Sequence, residues 1–311
     1  MTVTKLRSQC FSQVGVDISP TKCYTSLKKN MPVSYIGGKS KIGKWITPHY
    51  PKDIKTYSEC FGGMFWCFFN MDLKEYSELS TVIYNDFNPL NANFFRCLKT
   101  PEQLLIEVEK IPCQQKGVSS TPPEYKELFN NFQKKLFDSE FKVGDEPDYE
   151  VAAQYAYILT QVFSGSKPEK SSYIDLKGNY KSKYLTFRDK LKNPKWVEKF
   201  KKIQVVENMD FEEFIKKYDN EDFYVYVDAP YYKTEDYYSN HDFGLKDHER
   251  LANTLKNMKG KFSMSYYYFS QLEEWFPKDQ YRWESKSFAK AAGAKKGGKQ
   301  SIGEELLIMN Y

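Results

Sequence analysis

Val225-Tyr-Val-Asp-Ala-Pro-Tyr-Tyr232 is a run of strand formers that stops in an acid, a small residue, a proline and two aromatic rings. Val225, Tyr226 and Val227 favour a pleated, buried surface. Pro230 has no N–H for a ladder and fixes its own φ, so the strand ends here in a rigid turn. Open α/β sheets place their active sites at the carboxyl ends of their strands. A carboxylate followed by flat rings at that point suits the gripping of a planar nitrogen base. The same residues also spell an ordinary strand-ending turn.

Two strand–turn units lie upstream. Tyr57-Ser-Glu-Cys-Phe-Gly-Gly-Met-Phe-Trp66 reads as a short strand entering paired glycines and then a helix. Gly62 and Gly63 permit positive φ and the close approach of a ligand. Val82-Ile-Tyr-Asn-Asp-Phe-Asn88 reads as a second strand ending in Asp86. An acid at this tip accepts hydrogen bonds from ribose hydroxyls in nucleotide folds, or else caps the helix that follows. That helix, Pro89 to Leu98, puts Leu90, Phe94, Phe95 and Leu98 on one face. Further upstream, Gly38-Lys39-Ser40 matches the end of a phosphate loop. The first glycine of that pattern would stand at position 33, which is Val33, so the reading fails. Two glycines before a lysine still offer N–H groups and a cation to an anion.

Downstream, Val205-Val206 is a strand leading to Asp210, which either caps the next helix or belongs to a site. Leu245 to Leu255 is a helix in which His248 is a helix-start residue rather than a catalyst. Lys261 to Tyr268 and Glu305 to Tyr311 are strands. Tyr231 to Asp242 reads as a loop over the site, and Lys290 to Lys299 as a basic, glycine-rich arm able to lie along phosphates. Between Thr100 and Lys202 the alternation fades. Residues 101 to 138 are helical, broken at Pro122 and Pro123, and Val151 to Phe163 is another helix. A stretch dense in lysine and tyrosine follows, in which Lys181, Lys183 and Arg188 are the best candidates for phosphate contact; a solvated face is the alternative.

The run at Asp228 resembles the Asp-Pro-Pro-Tyr motif of adenine-N6 DNA methyltransferases, with Ala229 in place of the first proline. Tyr35 to Lys39 is similar to the Trp-x-Gly-Gly-Lys motif of the Dam-type members. Glu59 to Phe65 is similar to their Glu-Pro-Phe-x-Gly-x-Gly motif, with Cys60 at the proline and Phe65 at the last glycine. A phenylalanine takes up a left-handed backbone only at a cost, so a different turn or an earlier helix start is expected. These motifs occur in the family's order, and on them the chain resembles the Dam-type (alpha-class) adenine-N6 DNA methyltransferases over residues 32 to 98 and 202 to 311.

The resemblance implies an α/β fold: a class I S-adenosylmethionine-dependent methyltransferase sheet with helices on both faces and an inserted, mostly helical target-recognition domain. Its boundaries would be an extension at 1–30, a catalytic domain at 31–100 and 202–311, and the insert at 101–201. The implied reaction moves a methyl group from S-adenosyl-L-methionine to N6 of a flipped adenine in double-stranded DNA. Asp228 and the Ala229 carbonyl would hold the amino group, with Pro230 shaping the turn and Tyr231 stacking on the base. Tyr35, Gly38, Lys39, Phe61, Gly62, Gly63, Asp86, Asp210 and Asp228 would line the cofactor site. A catalytically degenerate DNA-binding relative and a cytosine-N4 methyltransferase are the alternatives. Asp228 argues against the second, because that family more often carries serine there. A restriction endonuclease is a candidate partner, and a cytoplasmic, nucleoid-associated protein of a bacterium or virus is the expected setting.

The composition agrees with a globular chain: 311 residues, 28% of them charged, with 25 Tyr and 23 Phe. A mean hydropathy of -0.68 and no long apolar run argue against a membrane-spanning protein. The first residues lack the apolar core of an export signal. Six cysteines without C-x-x-C spacing and three histidines argue against zinc and for reduced thiols. The net charge of +5 permits a nucleic-acid partner without demanding one.

Overall fold

Alternating side chains divide the strands of this chain between two hydrophobic cores. The structure, a computed structural model, describes residues 33, 39, 42–114, 121–162, 167–174, 182–232, 243–289 and 302–311. The extension at 1–30, the arm at 290–299 and positions 233–242 of the loop lie outside the described residues. The strands are β1 (Thr56–Glu59), β2 (Thr81–Asn85), β3 (Val205–Glu207), β4 (Phe223–Val227), β5 (Lys261–Tyr266), β6 (Arg282–Ala289) and β7 (Ile302–Met309). The helices before the middle of the chain are α1 (Gly43–Ile46), α2 (Trp66–Asn70) and α3 (Pro89–Leu98). Then come α4 (Pro101–Lys110), α5 (Pro123–Phe137), α6 (Tyr149–Gln161), α7 (Lys183–Lys192) and α8 (Pro194–Lys201). The last are α9 (Phe211–Tyr218), α10 (Leu245–Lys256) and α11 (Gln271–Trp275).

The sheet runs β3-β2-β1-β4-β5-β7-β6. β1 to β5 pair in parallel, and β7 is antiparallel to both β5 and β6. Tyr57, Val82, Tyr84, Tyr224, Tyr226, Leu307 and Met309 face one core, with α1, α2, α3 and the helices of the middle segment. Ile83, Phe223, Val225, Val227, Phe262, Met264 and Ile308 face the other, with α9, α10 and α11. This is the period of two expected of strands. It produces the α/β sheet with helices on both faces. Strands covered on both faces read as continuous apolar runs, and all of β4 is buried. The exposed side of the sheet is β6, where Arg282, Ser285, Lys286 and Ser287 face solvent. Its polar sequence carries no strand signal, and a charged edge is the usual guard against unwanted pairing.

The middle segment is helical, as expected, but Pro123 opens α5 at its first turn rather than breaking a helix. Proline suits that position because its missing N–H would have no partner there. α6 is buried from Val151 to Gln161 and packs against α3, α4, α5 and α7. Two asparagines of α3 fasten it. Asn93 exchanges hydrogen bonds with the Asp148 backbone at 2.8 and 2.9 Å, and Asn91 accepts from Tyr155 Oη at 2.9 Å. Lys199 of α8 donates to the Phe69 and Met71 carbonyls at the end of α2. The hydrophobic core therefore runs without a break from the sheet into these helices.

The turn after β1 departs from the sequence expectation. Phe65 does adopt the left-handed backbone, with φ 57° and ψ 43°, as the residue before α2. The strain is about 1–2 kcal/mol. Its ring is fully buried, stacks on Phe68 at 4.8 Å between centroids and meets Tyr84 edge-on at 5.3 Å. Burial of such a ring contributes about 1.5–3 kcal/mol, and each aromatic pair adds about 0.5–1.5 kcal/mol, so packing wins. Phe65→Gly should accordingly be more stable than Phe65→Ala by about 1 kcal/mol, because alanine keeps the strain without the ring. Both should unfold at lower urea than the wild type. An alanine variant as stable as the glycine variant would show that the turn is unstrained.

Candidate active site

Strand order reverses between β1 and β4: the chain builds outward from β1 through β2 to β3, and from β4 in the opposite direction. A crevice opens at the carboxyl ends of the two strands at such a switch point. The turn after β1 forms one wall. Gly63 has φ 48°, and a Cβ on Gly62 would lie 2.4 Å from Tyr84 Cε2 and 2.8 Å from the Asn85 carbonyl. Only glycine fits at position 62. Tyr84 Oη donates to the Gly63 carbonyl at 2.8 Å, and the Gly63 N–H donates to Asp86 Oδ2 at 2.7 Å.

Asp86 thus ties the tip of β2 to the glycine turn, with Oδ1 accepting from the Asn88 N–H at 2.7 Å. The cap of α3 is Asn88, which accepts from Leu90 N at 2.9 Å, so the capping alternative for Asp86 is set aside. Burial holds its carboxyl above the usual range. Phe87, next to it, is 53% exposed. Phe61 stacks on Phe211 at 5.4 Å and meets Phe243 edge-on. Asp210 caps α9 through Glu212 N at 2.9 Å and takes both arms of Arg250 at 2.7 and 2.9 Å. Burial pushes its carboxyl up, but the Arg250 and Glu212 hydrogen bonds outweigh burial and leave it low.

The turn after β4 forms the other wall. Lys39 Nζ lies 2.6 Å from Asp228 Oδ1 and 3.2 Å from Glu305 Oε1. Tyr231 Oη is 3.2 Å from Asp228 Oδ1, hydrogen-bonds closely to both Lys39 and Glu305, and its ring sits 4.7 Å below the ammonium. Burial pushes up both carboxyls, against the pull of Lys39. Ala229 is buried. The Pro230 carbonyl accepts from Tyr266 Oη at 3.2 Å, and that hydroxyl is also paired closely with His248 Nδ1. His248 is therefore a buried residue of α10 that braces the turn from behind.

The model for "D12 class N6 adenine-specific DNA methyltransferase" matches residues 35–289. The chain belongs to this family. Modification methylase StsI of Streptococcus sanguinis is 26% identical over 245 residues, which are 75% of this chain and 33% of that protein. Type II methyltransferase M.FokI of Planomicrobium okeanokoites is 23% identical over 77% of this chain and 34% of its own length. M2.HphI of Haemophilus parahaemolyticus is 31% identical over 35% of the chain and 30% of its own length. The chain thus spans about a third of the length of these relatives. The rRNA methyltransferase aviRa of Streptomyces viridochromogenes aligns over 86% of the chain and 81% of its own, with TM-score 0.30 and 12% identity. That likeness is too slight to add anything to the sheet order.

In this D12-class chain, Lys39, Asp228, Ala229, Pro230 and Tyr231 come together at one wall, and Phe61, Gly62, Gly63 and Asp86 at the other. Asp210 lies at the head of α9, engaged by its cap and by Arg250. Tyr35, Gly38 and Lys181 lie outside the described residues. Lys183 opens α7 after the Ser182 cap, and the Arg188 Nε is buried without a hydrogen-bond partner among the described residues. Lys192 and Lys201 form exposed ion pairs with Glu109 and Glu102 of α4 at 2.5 and 2.7 Å. Among the described residues no three His, Cys, Asp or Glu side chains are grouped to hold a metal ion.

Two acids in the crevice were not singled out from sequence. Glu305 follows the strand alternation inward with Leu307 and Met309, which is a signal that a carboxylate is being buried. Glu59, the first residue of its motif, is 3% exposed. It accepts from Tyr57 Oη at 2.7 Å and Phe68 N at 2.9 Å. Burial raises its carboxyl from 4.5 to about 8 despite those bonds. Between those values the folded chain holds a proton that the unfolded chain has released, so stability falls as pH rises from 4.5 toward 8. Glu59→Gln should remove that slope, gaining on the wild type by about 1.4 kcal/mol for each pH step of one across that window. Urea unfolding at acid and alkaline pH checks this; parallel curves for the two proteins would mean that Glu59 ionises normally.

Proposed function

We propose that this chain transfers a methyl group from S-adenosyl-L-methionine to N6 of adenine in double-stranded DNA, acting on a base turned out of the helix. The observation that carries the reading is the Asp228 carboxylate, 21% exposed at the switch-point crevice. Its Oδ1 is engaged, and its Oδ2 accepts from no described residue. Family membership and the methylase names of the relatives support the same reading.

The residues of the first wall fit a nucleoside-bearing cofactor. Gly62 and Gly63 leave the backbone bare, and Asp86, held by the Gly63 and Asn88 N–H groups and by the Asn91 and Tyr84 side chains, stands at the tip of β2, where nucleotide folds bind ribose hydroxyls. Phe61, Lys39, Asp210 and Asp228 would complete the site, with Tyr35 and Gly38. When bound, the cofactor supplies an electrophilic methyl group on a sulfonium centre. Asp228 Oδ2 and the Ala229 carbonyl would accept the two amino hydrogens of adenine and direct the nitrogen lone pair at that methyl. A carbonyl does not depend on the side chain, so alanine in place of proline keeps the second acceptor. Tyr266 and His248, holding the Pro230 carbonyl, supply the rigidity that the missing proline would have given. Such catalysis is orientation and preorganised electrostatics.

Extruding the base costs a few kcal/mol, and stacking returns about 1–3 kcal/mol per base. Tyr231 is 9% exposed and tied by its hydroxyl, so it fixes the turn first and stacks with the ring surface that remains. Residues 101–201 would serve as the target-recognition domain, with Lys181, Lys183 and Arg188 on the DNA. A restriction endonuclease partner and a cytoplasmic, nucleoid-associated setting follow from the same reading. No described helix is long and apolar enough to cross a membrane.

Asp228→Ala should lower transfer of radiolabelled methyl to unmodified genomic DNA at least 10²–10³-fold. Its melting temperature should stay near that of the wild type, because Glu305 still pairs Lys39. Nucleoside digestion should yield N6-methyladenine. Turnover by the variant at the wild-type rate would refute the assigned role, and N4-methylcytosine in the digest would reassign the base.

A further inference from the structure

We propose that Glu305 is a positioning residue for the transfer: it shares the Lys39 ammonium with Asp228, so that Asp228 keeps a net negative charge and a usable Oδ2 at the reacting amine. This rests on the reading of Asp228 given above. The side chains of Lys39 and Glu305 are 8% and 1% exposed. Among the described residues the Glu305 carboxylate pairs with Tyr231 and Lys39. A buried carboxylate so paired is a poor way to stabilise a strand, where an apolar side chain would serve the fold at least as well. Its placement is directed, however. The pairing of Tyr266 with Leu306 sets Glu305 just beyond the end of β5, beside the turn after β4.

The charge arithmetic gives the reason. An ammonium 2.6 Å from a single carboxylate would cancel it. With a second carboxylate at 3.2 Å the group of three carries one net negative charge. The exocyclic amine of adenine is a weak nucleophile, because its lone pair is delocalised into the ring. In the transfer its nitrogen bonds to the methyl carbon while the carbon–sulfur bond breaks and leaves its electron pair on sulfur. Positive charge appears on the nitrogen until its surplus proton passes to water. A fixed negative charge at that point favours the change in progress, whereas a neutral Lys–Asp pair does so far less. Tyr231 completes the arrangement by bringing its hydroxyl between the two acids.

The groups facing this cluster are Tyr226 of β4, Glu59 at the end of β1, Cys67 of α2 and Tyr267 after β5. Burial raises the Glu305 and Asp228 carboxyls, and the Asp228 charge adds to the shift of Glu305. Neutralising Glu305 removes that like charge and one of the two acids that share Lys39. The acid limb of the rate profile should then move to lower pH, even as the rate falls.

The test compares wild type, Glu305→Gln and Glu305→Asp in single-turnover transfer to unmodified duplex DNA across pH. Calorimetric cofactor affinity and thermal unfolding of the unliganded proteins across pH accompany it. Glu305→Gln should lose roughly 10–100-fold in rate, with cofactor affinity unchanged and the acid limb displaced downward. Glu305→Asp keeps the charge one methylene short and should retain more activity than Glu305→Gln. Without cofactor or DNA, Glu305→Gln should lose less stability than the wild type as pH rises, since the raised carboxyl is gone. Near-normal transfer by Glu305→Gln, or an aspartate variant poorer than the glutamine one, would show that shape and not charge matters, and would overturn the proposal. If Glu305→Gln does not fold, Glu305→Asp decides: transfer within about tenfold of wild type supports the charge role, and loss of transfer in a folded protein of normal cofactor affinity overturns it. An inactive wild type or an active Asp228→Ala sinks the methyl-transfer reading together with this one. An active wild type, a silent Asp228→Ala and an unimpaired Glu305→Gln sink this one alone.

Discussion

A sheet covered on both faces has no water to satisfy its polar groups, and that constraint organises this protein. Most polar atoms taken into such an interior find a partner there. Tyr224 and Tyr226 of β4 pass their hydroxyls sideways to Ser263 at 2.9 Å and Ser265 at 2.5 Å on β5. Tyr57 gives its hydroxyl to Glu59. Much of the tyrosine content among the described residues is therefore interior. It supplies large rings to both cores, together with hydroxyls that bind neighbouring strands to each other.

The same constraint shapes the crevice. At the carboxyl end of β4 the buried groups Lys39, Asp228 and Glu305 are satisfied by one another, with Tyr231 across them. The turn that carries Asp228 is fixed from in front by this cluster and from behind by the Tyr266–His248 pair on the Pro230 carbonyl. Rigid placement of an acceptor at the amine is what the proposed chemistry requires. Glycines perform the matching task on the other wall, where Tyr84 leaves no room for a side chain on Gly62.

The helices of the middle segment are joined to the sheet by packing and by named polar contacts, through Asn91, Asn93 and Lys199. α6 is buried at their centre. A surface that meets DNA through this segment would be held in a set relation to the Asp228 turn by a shared core. Some of its basic side chains lie in exposed ion pairs with acids of α4.

How much of this was legible depended on the range of the interaction. Local physics wrote the strands at Tyr57, Val82, Val205, Val225 and Lys261, because alternation and turn chemistry are properties of neighbours in sequence. The positions of Asp228, Asp86 and the glycine pair at strand ends followed from the same rules. The edge strand β6 was silent, since a polar edge has no apolar period. The left-handed Phe65 went against its local preference because rings from β2, α2 and α3 surround it. Lys39, Tyr231 and Glu305 meet across separations of 192 and 74 residues, which no periodicity encodes. Sequence alone thus determined the apolar strands of the sheet and where Asp228 and Asp86 stand. Only the tertiary structure decided which charges share one buried space, because that depends on the order in which strands lie side by side.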